Sequence, residues 1–145
     1  MNNRNEQFRP VSGFPGPTSA PGANWSYDIP QGEIWEIYAV KLKLTCDANV
    51  ANRYANFRYT DSTPYIHIQS GWSAAITASS VVIVIAANWP TYYFDLANHT
   101  IHLPFPFPLR IPAGKTLGFV FTGIQATDQL SESFITAAKI PFDMS

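Results

Sequence analysis

Cys46 is the only cysteine in the chain, so no internal disulfide can form and no cysteine cluster can hold zinc. Charge is equally scarce. Nine Lys and Arg stand against ten Asp and Glu in 145 residues, for a formal net charge of −1. That balance provides no basic footprint to neutralise phosphates and argues against a nucleic-acid partner. Long apolar runs are missing too: the longest, Val81 to Ala87, falls far short of the roughly 20 residues a membrane-spanning helix requires. Met1 to Pro10 lacks the basic-then-apolar order of an export leader, so a chain that stays in a cytoplasm and off the membrane is expected. Two glycosylation sequons, Asn24-Trp25-Ser26 and Asn98-His99-Thr100, are then read as chance matches.

What the chain does have is apolar and aromatic side chains, 46% and 14% of its residues, enough to fold rather than remain disordered. Its length supports one core, and two would each be marginal. A surface so poor in charge suits either partial cover by other subunits or an ordinary Ser/Thr/Asn-rich exterior.

Residues 1–24 are read as an extended Pro/Gly-rich arm and residues 25–145 as the folded domain. Pro10, Pro15, Pro17 and Pro21, with Gly13, Gly16 and Gly22, oppose both helix and central strand. Phe8, Val11 and Phe14 give the arm apolar side chains that can dock, on a neighbouring subunit or on the chain's own body.

Beyond Trp25 the pattern is β. In Glu33 to Thr45, Tyr38, Val40, Leu42 and Leu44 share one parity with Lys41 and Lys43 opposite. Trp35 and Ile37 sit on the other parity, so either both faces are covered there or a bulge re-phases the strand. Arg53 to Thr60 puts Ala55, Phe57 and Tyr59 together, and Thr116 to Gln125 turns Leu117, Phe119 and Phe121 inward. The charge-free Val81 to Ala87 reads as an internal strand buried on both faces, in a core or under a neighbour. Shorter strands are expected within 65–69, 91–94 and 100–103, and a last one within 129–140. Ile29-Pro30-Gln31-Gly32 and Ile111-Pro112-Ala113-Gly114 echo one another as turns that launch strands, with proline expected at the second turn position. About eight short strands and no helical stripe predict an all-β, antiparallel sandwich or jelly roll.

Chemistry is hard to assemble. His67, His99 and His102 are the only histidines; on a strand, the spacing of the last two puts them on opposite faces, and only a loop would let them converge with Asp95. No Gly-x-Ser-x-Gly elbow or phosphate-cradling loop occurs, and the carboxylates are scattered beside turns. The expectation is no catalysis, no metal and no cofactor. Trp25, Trp72, Trp89, Tyr65, Tyr92 and Tyr93 fall near expected turns, where they suit either sugar stacking or, as favoured here, cores and interfaces. Alternating prolines in Leu103 to Leu109 are expected to hold Phe105 and Phe107 on display, to cover an open barrel end or to pack on a partner.

Four segments carry a family resemblance: Pro30-Gln31-Gly32-Glu33-Ile34-Trp35-Glu36-Ile37, Asp47-Ala48-Asn49-Val50-Ala51-Asn52-Arg53, Leu103 to Ile111 running into Pro112-Ala113-Gly114, and Gly123-Ile124-Gln125-Ala126-Thr127-Asp128-Gln129-Leu130-Ser131. In these, residues 29–131 resemble small structural proteins of tailed-bacteriophage particles, with the arm outside the match. The resemblance implies a sandwich or jelly roll without an active site, and by size and arm a capsid decoration, or cement, protein on the virion exterior. Its implied partners are the major capsid protein and further copies of itself, a homotrimer ahead of a dimer. Phe8, Val11 and Phe14 of the arm and Phe105 and Phe107 of the strip are then the expected partner-binding residues. The alternatives are a tail or fibre component that binds host-surface carbohydrate and, third, a sugar-binding module unrelated to phage.

Overall fold

A computed structural model of the chain describes residues 11–60, 66–88, 92–95, 97–105 and 109–141. The described residues form a β-sandwich of eleven strands: β1 Ser12–Pro15, β2 Trp25–Asp28, β3 Glu33–Thr45, β4 Tyr54–Thr60, β5 Ile66–Gly71, β6 Val81–Ala87, β7 Tyr93–Asp95, β8 Thr100–Pro104, β9 Leu109–Pro112, β10 Thr116–Thr122 and β11 Gln129–Pro141. The larger sheet runs β1-β11-β3-β6-β8-β7, with β9 also on β3; the smaller runs β2-β10-β4-β5. Seven strands against four is not the eight-strand arrangement of a regular jelly roll.

Alternation within the strands decides which side chains fill the space between the sheets. Leu117, Phe119 and Phe121 of β10 and Ala55 and Phe57 of β4 are buried there, facing Val40, Leu42 and Leu44 of β3. The parity change in β3 is a bulge. Its register with β11 passes from Ala39 opposite Thr136 to Ile37 opposite Ala137, leaving Tyr38 out of step. Trp35 and Ile37 therefore point into the same core as Val40. At the same level the other edge of β3 changes partner, from β6 along 39–45 to β9 along 34–37.

β6 is internal, between β3 and β8, but only one of its faces is buried. Val82, Val84 and Ala86 enter the core, whereas Ile83 and Ile85 lie half-buried on the outer face and Val81 is exposed. A continuous Val/Ile run reads the same whether its second face is covered within the chain or left for a neighbour; here the chain itself buries one face. The sandwich is also not wholly antiparallel. β6 and β8 pair in parallel because the chain leaves β6, returns along the edge as β7, and only then inserts β8 between them.

The two Ile-Pro-x-Gly turns lie side by side where β2 passes to β3 and β9 to β10, joined by Ile29 N–H donating to Lys115 O and Gly114 N–H to Ile29 O. Glu33 N–H reaches Pro30 O and Lys115 N–H reaches Pro112 O. Proline is thus the first residue of each turn, not the second. The third position, Gly32 or Gly114, takes φ near +80°, which a side chain would oppose.

The boundary read between residues 24 and 25 does not divide the structure. Ser12–Pro15 pairs with β11 as an edge strand, a place that tolerates a missing proline N–H. Beyond it Gly16 N–H donates to Ser133 O, Gly22 N–H to Asp128 O, and Pro17 O accepts from both Trp25 Nε1 and Ser133 Oγ.

Candidate functional surface

The first candidate chemistry is a buried ion cluster. Arg53 follows the loop after β3 and Asp128 precedes β11, and both side chains are fully buried. Arg53 Nε donates to Asp128 Oδ2 at 2.8 Å and Nη2 to Asp128 Oδ1 at 3.0 Å. Nη2 also reaches Asp47 Oδ1 at 2.8 Å, and Nη1 the carbonyls of Asn49 and Ala51. Asp128 in turn accepts from the backbone N–H groups of Asp47 and Gln125, and Asp47 from Thr127 and Asn49. Burial pushes the Asp128 carboxyl upward, but the Arg53 guanidinium and the two backbone N–H groups outweigh it, leaving it below the usual carboxylate range. The Thr127 hydroxyl chiefly holds Asp47 low, and hydrogen bonding to Asp128 raises Arg53 further. Two of the segments that carry the resemblance, 47–53 and 123–131, are locked together by this cluster. Its two fully buried members are satisfied within the cluster, Asp47 alone reaching the surface, and together they hold the loops in place.

Among the described residues, the histidines and Asp95 do not converge into a site. His99 stands in the turn before β8 with φ of 49°, and His102 faces outward from β8, its ring centroid 5.5 Å from that of Tyr93. The His67 side chain lies outside the described residues. Asp95 is tied to Asn98 through the Asn98 backbone N–H and Nδ2, and the Asn98 amide chiefly holds its carboxyl low. Among the described residues no three His, Cys, Asp or Glu stand together to hold a metal. Both sequon asparagines use their side chains within the fold, Asn24 accepting from Phe121 N–H and Asn98 donating to Asp95.

The expected partner-binding residues fare differently. Val11 is exposed, at 52%. Phe14 is turned inward, edge-on to Trp35 with centroids 4.8 Å apart and the Lys139 ammonium over both rings, because β1 parity pairs it with the inward Ile135. Phe105 is not displayed but is 1% exposed, 5.8 Å from Phe57, with its N–H donating to Ala87 O. Proline spacing at 104 and 106 extends the backbone but says nothing of which way the intervening ring points. Phe8 and Phe107, like Trp89 and Tyr65, lie outside the described residues.

A surface the sequence did not single out is the outer face of the larger sheet. Register places Pro15, Phe134, Lys41, Ile85, His102 and Tyr93 in one row across β1, β11, β3, β6, β8 and β7. Phe134 is 43% and Tyr93 57% exposed. The Phe134 ring lies across Gly13, where a Cβ would collide with it. In the next row Lys43 meets Glu132 at 3.7 Å. Phe134 reaches this face because a second bulge in β11, between Ser131 and Phe134, resets its parity, with Glu132 at φ of 52°. The readable signal was the pair Phe134-Ile135, since neighbours on a strand cannot both face the core.

A second, smaller feature opens at the end of the sandwich nearer the ion cluster. Trp72, Phe94, Thr77, Ser80 and His99 line a cleft of about 180 Å³ floored by Ile101 and Val82. No family model matches the chain, and neither a curated protein nor a solved structure does.

Proposed function

We propose that the chain is a non-enzymatic structural protein of a tailed-bacteriophage virion, a decoration or cement protein that binds the outside of the capsid and ties major capsid proteins together. The observation that carries this reading is the exposed row Phe134–Lys41–Ile85–His102–Tyr93, a broad, shallow face in which two large rings flank one cation. Such a face suits a partner surface with apolar side chains and a carboxylate opposite Lys41, aromatic residues being the usual anchors of protein interfaces. The resemblance supplies the partner class. Copies arranged as a homotrimer on the capsid would add contact area between shell subunits and gain avidity from the lattice.

The test is cosedimentation of the purified chain with empty, expanded heads of the phage whose genome encodes it, alongside the doubly substituted Phe134→Ser, Tyr93→Ser protein. Saturable binding by the parent chain, at least tenfold weaker in a variant with unchanged thermal unfolding, is expected. Equal binding by both proteins would move the interface elsewhere, and no binding by the parent would end the capsid reading. Sedimentation equilibrium of the free chain reads the trimer directly.

A further inference from the structure

We infer that the cleft beside Trp72 is a binding site for one six-membered ring of a neutral sugar, an activity separate from the capsid contact. Two rings, Trp72 and Phe94, line it, and a third, Tyr92, extends the aromatic side beyond the lining. Trp72 stands 6.4 Å from Tyr92 and 6.3 Å from Phe94 between centroids, and Tyr92 is largely open to solvent. Trp72 is held by its backbone, whose N–H donates to Ala55 O of β4 at 2.9 Å, so its indole is presented by the sheet rather than by a free loop.

The opposite wall is polar. Thr77 Oγ1 and Ser80 Oγ lie 3.2 Å apart, and the exposed His99 completes that side. This wall is fixed as firmly as the aromatic one. Ile76 exchanges two backbone hydrogen bonds with Arg53, at 2.7 and 3.0 Å; Ser79 N–H donates to Asp47 O, and Ser80 O accepts from Cys46 N–H. The buried ion cluster therefore holds the cleft's polar loop in place, the preorganisation a weak, small ligand requires.

Chemistry and size narrow the occupant. Among the described lining residues no carboxylate, Lys or Arg occurs, which disfavours an ionic ligand. An apolar aromatic wall facing a hydroxyl-bearing wall matches a pyranose, which has a C–H face for ring contact and hydroxyls around its rim. A volume near 180 Å³ is below the ~300 Å³ at which sites for drug-sized ligands begin, so it admits a single ring. Ser79 and His99, two non-glycine residues with φ of 60° and 49°, flank the cleft, in keeping with the tendency of backbone strain to collect at functional sites.

The experiment titrates the full, isotope-labelled chain with glucose, galactose, mannose and N-acetylglucosamine, with N-acetylphenylalaninamide as a control for an apolar peptide side chain, and follows amide and indole resonances. Saturable shifts from at least one sugar are expected, confined to Trp72 and its indole N–H, Thr77, Ser80 and His99. They should weaken at least tenfold in Tyr92→Ala and in Thr77→Val, both at positions open enough to leave the fold intact. Silence from all four sugars, shifts scattered elsewhere, undiminished binding in both variants, or response to the peptide control alone would each overturn the inference. Head binding is read by a different assay on a different face, so failure of one reading leaves the other standing.

Discussion

Arg53 and Asp128, 75 residues apart in sequence, close a two-bonded ion pair with neither side chain exposed to solvent. Removing Arg53 leaves the Asp128 carboxylate in the interior with no cation, and removing the Asp128 charge leaves the buried guanidinium with Asp47 as its one ion partner. Asp128→Asn or Arg53→Met is therefore expected to cost about 3–5 kcal/mol, the usual penalty for breaking a buried pair. Urea unfolding would measure it. The double variant Arg53→Met, Asp128→Leu should lose less than the sum of the single losses, because neither fully buried charge is left behind and Asp47, nearer the surface, keeps its bonds to Thr127 and Asn49. Additive losses would mean that the two groups do not depend on each other.

The same cluster sets an acid limit. Asp47 and Asp128 are both held below their ordinary value of 3.8, so their contribution to stability is complete above that value and disappears as pH falls through the lower folded values. Unfolding midpoints should hold near pH 7, then fall below about pH 4. In Asp128→Asn the slope in that acid window should be shallower. A midpoint insensitive to pH from 7 to 2 would contradict the depressed values.

How much of this was legible in the sequence depends on the range of the interaction. Parity along β4 and β10 was readable because alternation is local, and in β3 the phase change of Trp35 and Ile37 against Val40 was visible, but a bulge and two covered faces give the same pattern. The Arg53–Asp128 pair was not, because joining the two loops takes the whole register of β3 on β11, and to the eye Asp128 was one more carboxylate beside a turn. Strand β1 was missed for a different reason. Prolines exclude a central strand but permit an edge, and no local signal tells which strand will be outermost.

Because β6 has one buried and one open face, neighbouring aspartates should behave oppositely. Val82→Asp puts a charge among Leu44, Ile101 and the rest of the core and should cost several kcal/mol, with little soluble folded protein. Ile83→Asp lies on the half-open outer face and should stay soluble and folded, while weakening any partner seated on that face. Similar solubility and melting for the two variants would show that β6 has no preferred face.

The arm invites the sharpest test, since its composition suggested a tail that grips a neighbour and its contacts make it an edge of the sandwich. Deleting residues 1–10, which lie outside the described residues, gives the reference protein for a longer cut. Deleting 1–22 is different. It strips β1 from β11, takes Phe14 off Trp35, withdraws the Pro17 carbonyl from Trp25 Nε1 and from Ser133 Oγ, and opens the surface beneath to water. Each lost hydrogen bond costs about 0.5–1.5 kcal/mol and the lost Phe14 contact roughly 1.5 kcal/mol more. A loss of several kcal/mol is expected for the longer deletion, with Phe14→Ala alone giving the smaller share. Calorimetry on the three proteins separates the cases: if the 1–22 deletion melts with the full chain, the packing of residues 12–22 adds nothing to the fold, and the segment is free to serve a neighbouring subunit instead.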